Sequence, residues 1–254
     1  MELRRSLGVK FILLILFTLA LSIVDSVDFL KMVYREDYIG DTSFVIAWLN
    51  GMGMSMTPLY MFVAPAVIAL VYIDTLWVDR NTTFMNYVIS RSSDWKYIHV
   101  KYAATLFSGG LIAALPCILL YILFSIAYPL NYTRENIYLI MQNVDFFPEL
   151  LLYSPLLYLL LLSFTKFSFG MAYTLIGLSV SALSNNRYIA LSVPYMIYLL
   201  GTYFGYPYFV PASTFTPNAA GHPIDTVYIF KDFGIIAFIC TCIYYFVMPR
   251  KCKQ

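Results

Sequence analysis

The feature that most constrains this chain is a succession of long apolar segments separated by short polar ones. Apolar runs occupy 11–24, 58–73, 102–127, 188–203 and 233–248, and the stretch 150–183 contains a single charged residue, Lys166. A helix needs about 20 such residues to cross the hydrocarbon core of a bilayer. The chain is 61% hydrophobic and only 12% charged, whereas soluble domains carry about 25% charged residues. One aqueous core could not bury so many apolar side chains, so we predict an integral membrane protein.

The fold class that these runs predict is an all-α polytopic membrane protein with six transmembrane helices. We expect both the N-terminus and the C-terminus in the cytoplasm, and one transmembrane domain that covers 1–254. The spans are expected at about 9–27, 57–74, 101–127, 156–183, 188–204 and 232–249. A cytoplasmic elbow at 74–101 joins spans two and three, and the outer segments are 28–56, 128–155 and 205–231.

The distribution of basic residues favours this orientation. Eleven basic residues fall on the inner side and four on the outer side, while Lys166 is assigned to neither. An excess of Lys and Arg in cytoplasmic loops sets the orientation of most membrane proteins. Seven spans, obtained by dividing 149–183 in two, would move the basic C-terminus outside, so we prefer six. The inner residues are Arg4, Arg5, Lys10, Arg80, Arg91, Lys96, Lys101, Arg187, Arg250, Lys251 and Lys253, and the outer ones are Lys31, Arg35, Arg134 and Lys231.

The fourth span poses a problem of length. The stretch 149–183 would be about 52 Å long as one helix, against a hydrocarbon core of about 30 Å. Counting back about 20 residues from Asn185 places Lys166 near the opposite membrane face, with 150–162 outside the membrane or in its interface. A lysine in mid-membrane marks a transport path or an ion pair, whereas one near the interface extends its amine into water. The length of the segment favours a lysine near the interface. The alternative, that Lys166 lies on a substrate path, stays open.

The elbow is the most polar part of the chain interior. Its centre, 84–89, is apolar enough to pack against another surface, yet far too short to span a bilayer. The sequence Ser92-Ser93-Asp94 is typical of a helix start, which predicts a new helix near Trp95. A solvated loop rarely holds so many apolar residues, so we favour a short docking helix that lies across the membrane surface.

Residue patterns that would indicate catalysis or metal binding are missing from the sequence. The two histidines, His99 and His222, have no partner at ligand spacing, and the chain has no P-loop and no protease or hydrolase motif. The aspartates at predicted span ends, Asp25, Asp74 and Asp79, are interpreted as solvated carboxylates. The four cysteines lack metal spacing and predict no disulfide. We therefore expect no enzyme activity and no metal site, and scattered basic residues give no support for nucleic-acid binding.

Two segments resemble a known family. They are Asp79-Arg-Asn-Thr-Thr-Phe-Met-Asn-Tyr-Val-Ile-Ser-Arg-Ser-Ser-Asp-Trp-Lys-Tyr-Ile-His-Val-Lys101 and Ser181-Ala-Leu-Ser-Asn-Asn-Arg-Tyr-Ile-Ala-Leu-Ser-Val-Pro194. With the predicted layout, they resemble the permease subunit of a bacterial ATP-binding-cassette (ABC) exporter of the second export class. The likeness covers nearly the whole chain in layout. The chain departs from many members of that family because only about ten residues precede Phe11, which is short for their amphipathic connector helix.

The resemblance implies a set of partners and roles. The elbow helix would be a coupling helix that contacts a separate ABC ATPase subunit, and that subunit, not this chain, would bind ATP and Mg. A second permease chain, identical or different, would share the translocation path, and short re-entrant or interfacial helices would precede span six. The implied location is the bacterial plasma membrane. The implied contact residues are Phe84, Met85, Asn86, Tyr87, Val88, Ile89, Ser90 and Arg91, flanked in the elbow by Asp79, Arg80, Lys96 and Lys101.

Two functional classes remain open from the sequence. The first is an exporter permease for a peptide or another amphipathic or apolar compound. The second is a membrane-embedded immunity, sensor or assembly protein that transports nothing. Binding of an ATPase subunit distinguishes the first class from the second.

Overall fold

The computed structural model describes residues 5–35, 44–54, 59–71, 73–82, 84–127, 146–205, 208–209, 211–212 and 226–252, and it contains no strand within them. The prediction of an all-α chain is therefore confirmed for these residues. The helices are α1 (Val9–Arg35), α2 (Phe44–Leu49), continued by a π-helical turn (Asn50–Met54), α3 (Leu59–Leu70), α4 (Asp74–Asn81), α5 (Phe84–Arg91), α6 (Asp94–Ala127), α7 (Pro148–Tyr153), α8 (Pro155–Leu183), α9 (Arg187–Phe204) and α10 (Thr226–Lys251).

Five helical segments within the described residues are long and apolar enough to cross a membrane. The remaining predicted span, the fifth at 188–204, corresponds to α9, which is 18 residues and about 27 Å long. Its tyrosines and the arginine at its start lower its hydropathy, so it is not among the five, and six spans remain a prediction. The five are Val9–Val27, Leu59–Asn81, Asp94–Ala127, Pro155–Leu183 and Phe230–Lys251.

Large apolar side chains cover much of the outer surface of the bundle. Val9 of α1 is 74% exposed, Ile126 of α6 is 81% exposed and Phe238 of α10 is 72% exposed. Soluble monomers rarely expose contiguous apolar patches larger than a few hundred Å². A surface of this kind suits the hydrocarbon core of a bilayer, in agreement with the membrane protein that the composition predicts.

Small residues allow α6 and α8 to pack closely at the centre of the bundle. A Cβ atom added to Gly170 of α8 would collide with the carbonyl oxygen of Gly109 in α6, and one added to Gly109 would collide with Thr174. Small residues bring helix backbones together in membrane proteins, where dispersion contacts and hydrogen bonds drive association. On its other side α8 is fixed to α10, because the Ser179 hydroxyl donates to the Cys240 carbonyl oxygen over 2.8 Å.

A buried carboxylate fixes the start of α3 to α1. Asp25 accepts hydrogen bonds from the backbone N–H groups of Leu59 and Tyr60, at 3.2 and 2.9 Å. Negative charge at a helix N-terminus is favourable because the first N–H groups lack partners within the helix. The interpretation of Asp25 as a solvated carboxylate is wrong, because the start of α3 covers it completely.

Other boundaries follow local sequence signals. The predicted helix start near Trp95 is confirmed, since α6 begins at Asp94 and the Ser93 hydroxyl accepts from the Lys96 N–H at 3.4 Å. Pro155 lies in the first turn of α8, where its missing N–H has no cost. The continuous helix α8 has 29 residues, about 44 Å, and the separate short helix α7 precedes it.

Several predictions fall on residues outside the described ranges. The expected re-entrant or interfacial helices before span six lie largely in 213–225, which also contains His222. Parts of the predicted outer segments 28–56 and 128–155, namely 36–43 and 128–145, likewise lie outside the described residues.

Candidate functional site

One end of the bundle brings together four segments that are distant in sequence. Arg80 of α4 donates to the carbonyl oxygens of Ser181 and Ser184 at 3.2 and 3.5 Å, and to Oδ1 of Asn185 at 2.5 Å. Lys251, at the end of α10, donates to the carbonyl oxygen of Leu183 at 3.3 Å. The elbow therefore lies beside the turn between α8 and α9 and the end of α10. The fourth segment is the N-terminal one, because Arg5 contacts Asp79 of the elbow.

A buried carboxylate, Asp79 near the end of α4, organises this end. Its Oδ2 lies 2.6 Å from Nζ of Lys101 and accepts a hydrogen bond from the Tyr97 hydroxyl at 3.0 Å. Its Oδ1 lies 2.5 Å from a guanidinium nitrogen of Arg5. Tyr97 and Lys101 are four residues apart on α6 and so share one helix face. We call Arg5, Asp79, Tyr97 and Lys101 the Asp79 cluster.

The Asp79 cluster corrects the interpretation of Asp79 as a solvated carboxylate. Neither Asp79 nor Lys101, the predicted flank at the end of the elbow, has any exposed side-chain surface. The partners of Asp79 could not be predicted from the sequence, because Tyr97, Lys101 and Arg5 lie 18, 22 and 74 positions away from it. They meet only in the folded chain, where Arg5 and the first two turns of α6 lie beside the end of α4. Of the other predicted flanks, Arg80 contacts the turn after α8 and Lys96 is exposed.

The short helix α5 presents two different faces. Asn86, Tyr87, Ser90 and Arg91 are exposed, and the Arg91 guanidinium lies 4.3 Å from the centroid of the Tyr87 ring, a cation–π contact. Met85 is buried against the bundle core. The surface that α5 offers to a partner is thus narrower and more polar than the sequence predicts.

The remaining residues of α5 anchor it to this chain. Val88 and Ile89 are partly buried and pack against the core, and Phe84 is half-buried beneath the guanidinium of Arg5, at 4.9 Å from the ring centroid. Arg5 therefore contacts both elbow helices, since it also pairs with Asp79.

Lys166 occupies a second candidate site inside the bundle. Its side chain is completely buried, and Nζ lies 4.8 Å from the centroid of the Tyr60 ring. The interpretation of an interfacial lysine that extends to water is wrong. The depth of a residue in a span can be estimated from sequence, but the direction of its side chain cannot, and here α8 turns Lys166 towards α3.

Aromatic and polar groups surround this lysine. The Cys117 side chain is its electrostatic neighbour, and the Trp48 indole donates to the Cys117 carbonyl oxygen at 3.0 Å. Trp48 also makes an edge contact with Tyr158, whose buried hydroxyl has no hydrogen-bond partner within the described chain. Buried cations inside transmembrane bundles mark transport paths or structural pairs.

We predict that Lys166→Met leaves the folded protein at least as stable as the wild type. Methionine keeps a long flexible side chain and removes the cost of holding an ammonium group away from water. Lys166→Ala should instead lose about 2–5 kcal/mol, because it leaves a cavity. Thermal unfolding of the purified protein, followed by loss of its monodisperse gel-filtration peak, compares the two variants. Equal losses would show that the amine itself stabilises the bundle.

His99 contacts two aromatic side chains. Its Nδ1 lies 2.7 Å from the Tyr245 hydroxyl, and its ring stacks on Trp95 at 5.8 Å between centroids. These contacts join the start of α6 to α10. Within the described ranges no three His, Cys, Asp or Glu side chains lie close enough to hold a metal ion.

Comparisons of the chain with protein-family models, with curated proteins and with solved structures found no match. The two candidate sites are therefore the end of the bundle that holds Arg5, Arg80, Lys101 and Lys251, called the basic end below, and the surroundings of Lys166.

Proposed function

We propose that this chain is the membrane-spanning permease subunit of an ATP-driven ABC exporter, coupled to a separate ATPase subunit. The observation that carries the proposal is the position of α5. It is a short helix with an exposed face of Asn86, Tyr87, Ser90 and Arg91, and it lies between the equally short α4 and the long helix α6 at the most basic end of the bundle.

The mechanism depends on a firm connection between α5 and the long helices. The Asp79 cluster ties the elbow to α6, and Arg80 ties it to the end of α8. A displacement of α5 by an ATPase subunit that closes on ATP would therefore move α6 and α8 with it. The contact surface for the ATPase is the exposed face of α5, not its apolar face.

The proposed topology has six spans, with α9 as the fifth. One end of the bundle holds the N-terminal Arg5, the elbow, the turn after α8 and Lys251. The odd-numbered spans therefore run away from this end, and the even-numbered spans run back to it. Their positive charge favours the cytoplasmic side.

A second permease chain would lie against the most exposed helices. Only 28% of the most apolar stretch of α1 and 22% of that of α10 are buried within the bundle, whereas the value for α8 is 67%. The cargo that suits a path between such apolar faces is a peptide or another amphipathic or apolar compound. A non-transporting immunity, sensor or assembly protein is the alternative that the next experiment tests.

We predict that Tyr87→Asp abolishes capture of an ATPase subunit without unfolding the chain. Tyr87 is 53% exposed, so an added charge is solvated in the free chain but not in a contact. Tagged full-length protein is purified from its native membrane, and ATP hydrolysis in the captured fraction is measured. Tyr188→Asp is the matched control, because Tyr188 is 77% exposed at the same end but on α9. Capture of no nucleotide-hydrolysing partner by the wild type would contradict the proposal.

The orientation of the basic end gives a further prediction. A membrane-impermeant maleimide should label Tyr87→Cys only in inside-out vesicles, at pH 7. The native Cys252 contributes little background, because burial and the nearby Asp94 raise the pKa of its thiol to about 11 and leave it largely protonated. Its labelling should rise as the pH approaches 11. Labelling of position 87 in intact cells would place the elbow outside and exclude a cytoplasmic ATPase contact.

A further inference from the structure

An open apolar groove runs along the bundle surface between α8, α9 and α10. Its volume is about 430 Å³, and its walls present only apolar atoms. Residues from each of the three helices line it, among them Leu183, Val193, Ile197, Ile239 and Ile243. None of these residues belongs to the Asp79 cluster or to the surroundings of Lys166.

Cations border the groove where it reaches Leu183. The carbonyl oxygen of Leu183 accepts from Lys251, and Arg187 is exposed in the first turn of α9, four residues further along the chain. Arg80 lies against the same turn through the carbonyl oxygens of Ser181 and Ser184. Three positive charges therefore lie around the turn that follows Leu183.

Two acidic residues of this end have described side chains, Asp79 and Asp94. Asp79 pairs with Arg5 and Lys101, and Asp94 lies near Cys252 at the start of α6. The positive charge beside Leu183 thus exceeds the negative charge among the described side chains of this end.

We propose that this groove binds one acyl chain of an anionic phospholipid, whose phosphate group lies at Arg187 and Lys251. The apolar walls match the hydrocarbon chain, and the cations match the headgroup at the level where α8 ends. Basic pockets between membrane helices recognise anionic headgroups, and each Lys or Arg favours them by about fivefold. The site does not depend on transport.

Native mass spectrometry of the purified full-length protein tests the headgroup. Detergent micelles are doped with equal amounts of phosphatidylglycerol and phosphatidylcholine, and the lipid retained per protein is counted. The wild type should retain phosphatidylglycerol in preference to phosphatidylcholine. The double variant Lys251→Gln with Arg187→Gln should lower that preference by about tenfold or more. Lys96→Gln, which removes an exposed charge from α6, should leave it unchanged.

A second pair of variants tests the groove. Ile239 lines the groove, whereas its neighbour Phe238 does not, although both are exposed on α10. Ile239→Trp should fill the groove and remove the retained lipid, and Phe238→Trp should retain it. Both changes add an indole to the same helix, so a general disturbance of α10 would affect them equally.

Three results would overturn the proposal. Equal retention of the two lipids by the wild type would show that the cations do not select a headgroup. Unchanged retention in Ile239→Trp would place the lipid elsewhere. Retention that is lost only when the protein forms dimers would identify a second copy as the occupant of this surface.

Discussion

Replacing Asp79 by Asn is expected to destabilise the folded protein by about 3–5 kcal/mol, the range measured when one partner of a buried ion pair is removed. The asparagine side chain keeps the volume and the hydrogen-bonding oxygen, but it removes the negative charge. Lys101 then stays completely buried without the carboxylate 2.6 Å away. Arg5 is 36% exposed and can turn towards water, so most of the cost arises from Lys101. Thermal unfolding of the purified protein, monitored by gel filtration, gives the measurement.

A double-mutant cycle separates the ion pair from a general packing defect. Lys101→Met is made alone and together with Asp79→Asn. In the double variant it removes the buried cation and should recover much of the loss, because an apolar side chain replaces a charge that has lost its carboxylate. Asp94→Asn is the control, since Asp94 lies in the first turn of α6 and should cost less than about 1 kcal/mol. If the double variant were as unstable as Asp79→Asn alone, the carboxylate would act through Tyr97 or Arg5 and not through Lys101.

The same cycle bears on the proposed function. If the Asp79 cluster transmits motion from α5 to α6, the double variant Asp79→Asn with Lys101→Met should fold yet transport poorly. ATP hydrolysis by the bound ATPase should continue, because the exposed face of α5 is unchanged. Loss of folding and loss of coupling are thus distinguishable within one set of proteins.

The helical fold could be predicted because its signals are local. Apolar runs of about 20 residues require spanning helices in a bilayer, and capping residues such as Ser93 and Asp94 fix a helix start within a residue or two. The short helix of the elbow is also local, because its apolar residues and its flanking polar ones are adjacent in sequence. These features could be predicted because they depend only on residues that are close to one another along the chain.

The candidate sites depend on which side chains of different helices contact one another. Those contacts could not be predicted from this sequence alone. Asp79 and Lys166 both looked like ordinary residues near span ends, and both are fully buried. One available signal was the spacing of Tyr97 and Lys101, which places two polar side chains on one face of α6. The rotation of α8 that encloses Lys166 follows from its packing against α6, which small residues such as Gly170 determine.

The close packing of α6 and α8 leads to the second large effect. Gly170→Ala should destabilise the protein by about 3 kcal/mol, at the upper end of the range typical for overpacked cores. The added Cβ would collide with the carbonyl oxygen of Gly109 and lie 2.8 Å from the Cβ of Ala113. The helices would have to separate, because a backbone atom cannot move aside as a side chain does. Thermal unfolding again gives the measurement, and Gly234→Ala, where nothing lies within 4 Å, should be neutral or stabilising.

A comparison with Gly109 distinguishes a backbone collision from a side-chain collision. The three atoms nearest a Cβ on Gly109 all belong to the Thr174 side chain, so Gly109→Ala should also destabilise the protein, and Thr174→Ala should restore part of the loss. The rescue is partial because the Cβ of residue 174 would remain at 2.8 Å. No substitution at position 109 can rescue Gly170→Ala, since every residue keeps the carbonyl oxygen. Equal tolerance of both single variants would contradict this close packing, because it would mean that α6 and α8 lie farther apart in the membrane than these contacts require.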